Sequence, residues 1–151
     1  MVKRRTKKLR KTKKRGGEIV MNIQYPSFSL RNNSSLATTI QATEEEPTVI
    51  LPSIPLTTLI MHDPNSSQPS WLHWLVTNIP NGHITKGSVI VPYNGPSPPK
   101  GTGTHNYKFE LYKQTTQINI SSLERNHFSP ESFINENGLT FLKRKSFKVN
   151  T

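Results

Sequence analysis

The sequence contains no cysteine. That excludes disulfides and thiolate metal sites, and it suits a reducing compartment. No apolar run approaches the roughly 20 residues that a membrane-spanning helix needs. No apolar segment follows the basic start, so a conventional secretory signal is not expected. Apolar residues make up only 32% of the chain, which predicts a modest core and many loops. Gly101-Thr102-Gly103 lacks the Lys and Ser/Thr of a phosphate-binding P-loop. No serine stands in a nucleophile-elbow context, and no two histidines have the i, i+4 spacing of a zinc-binding helix. An enzyme is therefore not expected, no residue is assigned a catalytic role, and neither a metal nor a cofactor is expected.

Acidic residues are missing from residues 1–15, where ten of the chain's 20 Lys/Arg are packed. The other ten face nine acids in residues 16–151, so the formal net charge of +11 belongs to an arm. Residues 1–17 read as a disordered basic arm with a Gly16-Gly17 hinge, because like charges repel and little in it can be buried. Lys3, Arg4, Arg5, Lys7, Lys8, Arg10, Lys11, Lys13, Lys14 and Arg15 form a polyanion-binding set, for nucleic acid or an anionic membrane. The same run reads as a nuclear-localisation signal or as a solubilising tail. It has no aromatic residue, so it offers neither base stacking nor sequence readout. The expected location is cytoplasmic, nuclear or both. Arms ending in Gly-Gly are similar to those of some large DNA-virus proteins, which adds a virion-associated reading; a cellular nuclear protein fits as well.

Residues 18–151 form the expected folded domain, a monomer. Twelve prolines and eight glycines favour a turn-rich, all-β design over a helical bundle. Short strands are expected in Glu18–Ala42, with Asn32-Asn33 as a turn, then at Thr48–Leu51, Thr57–His62, Trp71–Ile79, Ser88–Val91, Tyr107–Lys113 and Leu139–Val149. Within Trp71–Ile79, alternation puts Trp71, His73 and Leu75 on one face and Leu72, Trp74 and Val76 on the other. Lys143-Arg144-Lys145 reads as an exposed turn. One short helix is expected near the C-terminus, capped by Ser129, begun by Pro130 and stopped by Gly138. Strands at this spacing imply a sandwich or a barrel.

Three stretches carry the candidate chemistry: Asp63-Pro64-Asn65, Trp71-Leu72-His73-Trp74 and the Pro/Gly-rich Gly95–Tyr107. Taken singly, Asp63 is a turn cap, His73 a satisfied core histidine and His105 a loop residue. Taken together, three polar groups at strand ends beside a glycine loop suggest a small polar pocket. Imidazole N–H, tyrosine hydroxyl and backbone N–H groups can donate to phosphate oxygens. Asp63 would orient or protonate a histidine, or pair with a cationic head group.

These stretches resemble the signatures of the phosphatidylethanolamine-binding protein family, which includes the Raf kinase inhibitor proteins. The motif Gly-Pro-Ser-Pro-Pro-Lys-Gly-Thr-Gly-x-His is its most specific part. The likeness runs in register from about residue 46 to 114 and more loosely beyond. The resemblance implies an antiparallel Greek-key β-sandwich with a small anion pocket at one end. It places Asp63, His73 and His105 at the polar positions and Trp71 and Tyr107 at the aromatic wall. Tyr93, Gly95, Pro98 and Pro99 fall in the loop that closes the pocket. The implied ligand is a phosphate-like anion or phospholipid head group, bound without catalysis. The alternative it implies is a protein-interaction regulator, an inhibitor or scaffold whose partner is a kinase or protease. Two departures stand out. Asn65 replaces the family's second acid and Asn106 replaces an arginine, so the two changes are expected to compensate. With two residues after Val149, a C-terminal helix that borders the pocket in some relatives is expected to be missing.

Overall fold

A computed structural model describes residues 18–30 and 35–151. The expected basic arm and the expected Asn32-Asn33 turn lie outside those residues. The strands are β1 (Asn22–Gln24), β2 (Ser29–Leu30), β3 (Ser35–Thr38), β4 (Thr48–Ile50), β5 (Leu56–Asp63), β6 (Trp71–Pro80), β7 (Ser88–Val91), β8 (Thr104–Lys113) and β9 (Thr140–Asn150). They form a three-stranded sheet in the order β2-β1-β4 and a six-stranded sheet in the order β3-β9-β8-β5-β6-β7. All pairs are antiparallel except β3 with β9, which is parallel. Two short 3₁₀ turns, at Gln41–Thr43 and Ile84–Lys86, interrupt the loops. No described helix is long and apolar enough to cross a membrane.

Among the described residues the fold is therefore mostly β with one short helix, as the turn-rich composition implies. That helix, α1 (Pro130–Glu136), has the expected local signals. Ser129 Oγ accepts from Ser132 N, Pro130 fills the first position, and Gly138 takes φ 58° just beyond the end.

The large sheet is buried on both faces, which is why β5 and β6 lack a polar side. One face, with Leu59, Met61, Trp74, Tyr107, Phe109 and Phe147, packs against Met21, Ile23, Leu30 and Val49 from the small-sheet side. The other face, with Ile60, Leu72, Leu75 and Tyr112, is covered by Ile118, Phe128, Phe133 and Leu139 from the segment that contains α1. This is the layered arrangement a two-sided apolar sheet requires.

Two local expectations need correction. Leu72 lies in the cluster with Leu75, and Trp74 and Val76 lie in the other. The register explains this: Met61 pairs with Trp74 and His62 with Leu72, so His73 is an extra residue in a β-bulge. A bulge breaks the two-residue period and turns its side chain to a new direction. Residues 143–145 are not a turn either. They continue β9 opposite Phe109, Glu110 and Leu111, and Lys145 is buried.

β5 also carries a buried polar cluster on its helix-covered face. His62 Nε2 donates to Glu110 Oε1 at 3.1 Å, and Nδ1 lies 2.6 Å from Ser70 Oγ. Tyr112 OH donates to the same Glu110 oxygen at 3.0 Å, and Arg144 Nε donates to Oε2 at 2.8 Å. Burial works to raise the Glu110 carboxyl, but the bonds from His62, Arg144 and Tyr112 outweigh it and hold it at about 2, below 4.5. A depressed folded-state value contributes stability that is complete above about pH 4.5 and lost as pH falls through about 2. Denaturant midpoints measured across that window should therefore drop, by on the order of 3 kcal/mol. Glu110→Gln should be less stable at neutral pH and should lose most of this slope. An unchanged slope in the variant would refute the assignment to Glu110.

Candidate functional site

The ends of β5, β6 and β8 converge on a cavity of about 210 Å³. Its lining comprises Asp63, Ser66, Trp71, His73, Asn94, Gly95, Ser97, Pro98, Pro99 and Tyr107. Seven of the nine pocket positions implied by sequence are thus brought together. The volume falls below the roughly 300–1,000 Å³ of a drug-sized site.

Asp63 ends β5 and is buried. Its Oδ1 accepts from Asn65 N at 2.7 Å, the local turn that an Asp-Pro-Asn sequence favours. Its Oδ2 accepts from His105 Nδ1 at 2.8 Å. His105 therefore sits behind the carboxylate and outside the wall. Its other nitrogen lies 2.8 Å from Thr102 Oγ1, which donates to Pro99 O at 2.7 Å. This chain couples the carboxylate to the proline turn that forms one side of the cavity. The imidazole also stacks on Tyr107 at 6.3 Å, and Tyr107 stacks on Phe147 at 5.3 Å.

His73 is aimed into the cavity by the β6 bulge. Its Nδ1 donates to the Asn94 carbonyl at 2.6 Å, which leaves Nε2 as the nitrogen available to a guest. Asn94 N returns a bond to His73 O at 3.0 Å, so strand and loop hold each other. The Tyr107 ring meets the imidazole edge-on at 5.2 Å, and Trp71 does so at 6.5 Å. Burial pushes the imidazole below its ordinary value. The bond to Asn94 and the Asp63 charge oppose this, while Arg125 and His62 add to it. Burial, reinforced by Asp63, pushes the Tyr107 phenol up, so it stays protonated and able to donate.

Tyr93 also lies outside the wall. Its hydroxyl donates to Thr43 O at 2.7 Å and sits 2.7 Å from Tyr25 OH. Its ring packs edge-on against Trp74 at 5.3 Å. Gly95 serves the same docking, because a Cβ there would fall 2.7 Å from Thr43 O. Tyr93 and Gly95 therefore seat the closing loop on residues 43–44, and of the two Gly95 also lines the cavity. At the loop's far end Gly101 and Gly103 take φ 78° and 91°, conformations that glycine adopts without strain.

Four contributors escape a reading of side-chain motifs. Asn94 acts through its carbonyl, and Ser66 and Ser97 belong to the lining. Arg125, from a loop with no periodic pattern, donates to Leu72 O, His73 O and Pro92 O at 3.1, 3.0 and 2.8 Å. It clamps the start of β6 to the closing loop. Among the described residues no Lys or Arg lines the cavity, and no three His, Asp or Glu side chains converge as a metal site would need.

The two departures from the motif meet in space. Asn65 Oδ1 accepts from Asn106 N at 2.8 Å and from Asn106 Nδ2 at 3.3 Å. An amide latch thus joins the two positions at which the sequence departs from the motif.

A family model described as phosphatidylethanolamine-binding protein matches residues 15–147. A protein of Drosophila melanogaster carrying the name odorant-binding protein A5 is 43% identical over 60 residues, 38% of this chain and 29% of that protein. The chain thus spans under a third of that curated relative's length. Among solved structures, a carboxypeptidase Y inhibitor bound to its cognate proteinase has a TM-score of 0.76 at 18% identity, covering 95% of this chain and 92% of the inhibitor. The phosphatidylethanolamine-binding protein of Plasmodium vivax has a TM-score of 0.70 at 20% identity, with 95% of each chain covered.

The amide latch generates a stability prediction. Asn65→Ala should cost about 0.5–1.5 kcal/mol, read from denaturant midpoints. The cost should be nearly the same in an Asn106→Ala background, because the shorter bond comes from the backbone. A cost that vanishes in that background would assign the latch to the side-chain pair instead.

Proposed function

The chain belongs to the phosphatidylethanolamine-binding protein family, and from that premise we propose that residues 18–151 are a non-enzymatic binding module for a small phosphate-bearing ligand or head group. One observation carries the reading. Asp63, His73 and Tyr107 bring polar atoms to a single cavity of about 210 Å³ walled by Trp71, Pro98 and Pro99. Among the described residues, His73 Nε2 and the Tyr107 hydroxyl make no hydrogen bond to the protein, so a guest is their natural partner. Buried polar groups are usually satisfied, and leaving both for a ligand makes its binding the event that completes the network. No side chain in the cavity is activated as a nucleophile, which favours binding over catalysis. A protein partner such as a kinase or protease would reach the same cavity through a phosphorylated or acidic side chain, and action in the cytoplasm or nucleus fits the cysteine-free sequence.

Titration of the full chain with inorganic phosphate or phosphorylethanolamine should shift the His73 and His105 ring signals in NMR. His73→Ala should abolish the response. Asp63→Ala should weaken it strongly by releasing His105 and the Thr102 turn. Both variants should keep the wild-type far-UV circular dichroism. Ring signals that stay still at millimolar ligand would sink the proposal.

A second reading concerns the arm. Ten Lys/Arg without an acid in residues 1–15 favour contact with a polyanion such as nucleic acid or an anionic membrane. Binding to duplex DNA should fall linearly in log K against log salt, with a slope of about −0.9 per phosphate contact. Removing residues 1–15 should abolish it, whereas His73→Ala should leave it intact. Salt-independent binding, or binding that survives removal of the arm, would refute this reading.

A further inference from the structure

The cavity is richer in acceptors than a phosphate site would suggest. Asp63 brings a carboxylate, and among the described residues no Lys or Arg lines the wall. His73 Nδ1–H is committed to the Asn94 carbonyl at 2.6 Å. In a neutral imidazole the remaining nitrogen then holds a lone pair, so it accepts rather than donates. The groups around His73 come from every packed element: Asp63 and His62 on β5, Tyr107 on β8, and Arg125 from the loop behind its carbonyl. Among the described residues around His73 only Arg125 is a fixed cation, and three of its N–H groups are bonded to carbonyls. A phosphate with no proton of its own would therefore meet a carboxylate and an imidazole lone pair.

We propose that the cavity takes a phosphomonoester as its monoprotonated anion, whose P–OH donates to His73 Nε2, and that it disfavours phosphodiesters, which carry no such proton. This rests on the reading of the cavity as a phosphate site and specifies its ligand. The remaining phosphate oxygens accept from the Tyr107 hydroxyl, which has no protein partner among the described residues. The monoanion also suffers less repulsion from Asp63 than a dianion would. Burial that pushes the His73 imidazole below its ordinary value supports the assignment of the proton to the ligand. A diester must instead bind by charging a buried histidine, and it bears that cost in affinity.

The second ionisation of a phosphomonoester lies near pH 6. Monoester affinity should accordingly hold at acid pH and fall about tenfold per pH unit above that ionisation. Calorimetry on the full chain between about pH 5 and 8 would compare phosphorylethanolamine, its diester glycerophosphorylethanolamine, and methylphosphonate, whose second ionisation lies higher. The monoester should bind at least about tenfold more tightly than the diester near pH 6, and the midpoint of the pH profile should move upward with methylphosphonate. Equal monoester and diester affinity, or one fixed midpoint for both protonatable ligands, would place the proton on the protein. Either result overturns this inference while leaving a phosphate pocket standing. Failure of all three ligands to bind overturns the inference together with the pocket reading.

Discussion

The hydrogen bond from His73 Nδ1 to the Asn94 carbonyl is the constraint on which the site depends. It fixes the imidazole's orientation, decides which nitrogen reaches the cavity, and ties β6 to the closing loop. Three features support it. The β6 bulge delivers the ring to the right side of the sheet. Asn94 N bonds back to His73 O, so the contact is a reciprocal pair. Arg125 bridges the His73 and Pro92 carbonyls, spanning the same seam from behind. A loop rich in proline has few backbone donors with which to hold itself, and this seam supplies the anchorage.

β5 organises the polar chemistry on both sides of the sheet. Its last two residues, His62 and Asp63, point to opposite faces and each finds an opposite partner on β8. His62 pairs with Glu110 beneath the α1 segment, and Asp63 pairs with His105 at the cavity. The two pairs differ in what remains open. Glu110 is surrounded by three donors and His62 by Glu110 and Ser70, so that cluster is closed and structural. The Asp63 cluster meets a cavity, where Tyr107 OH and His73 Nε2 make no hydrogen bond among the described residues. The same residue types therefore form a closed cluster on one face and border a cavity on the other.

Much of the architecture was legible in the sequence because it rests on local signals. Tyr107, Phe109 and Leu111 alternate, Ser129-Pro130 and Gly138 bracket a helix, and the Asp-Pro-Asn turn caps β5. The misreadings share one cause, which is pairing between distant segments. Strict alternation assigned Leu72 and Trp74 to one face because a bulge depends on register with β5, which no window around residue 73 contains. Lys143-Arg144-Lys145 looked like a turn because three cations seem unfit for a strand, yet Arg144 is held by Glu110 more than thirty residues away. In the candidate site, Asp63, Trp71, His73 and Tyr107 were readable as side chains. Tyr93 and His105 were placed one layer too far inward, since sequence does not reveal that their polar atoms are spent on Thr43, Thr102 and Asp63. Asn94 and Arg125 work through backbone carbonyls, which leave no residue-type signature.

The Asn65–Asn106 latch bears on what the cavity can hold. An acid and an arginine at these positions would bring opposite charges to the rim, each free to bias a guest. The amide pair keeps the mechanical link between the β5 turn and β8 while removing both charges. The field inside the cavity is then set by few groups: the Asp63 carboxylate, the neutral-leaning His73 and the more distant Arg125 guanidinium. With so little fixed charge, recognition leans on matching individual donors to acceptors rather than on attraction between net charges. On the reading proposed above, a single proton on the guest would then be decisive, because His73 Nε2 has one lone pair to offer and the bond to Asn94 sets the direction in which the imidazole donates.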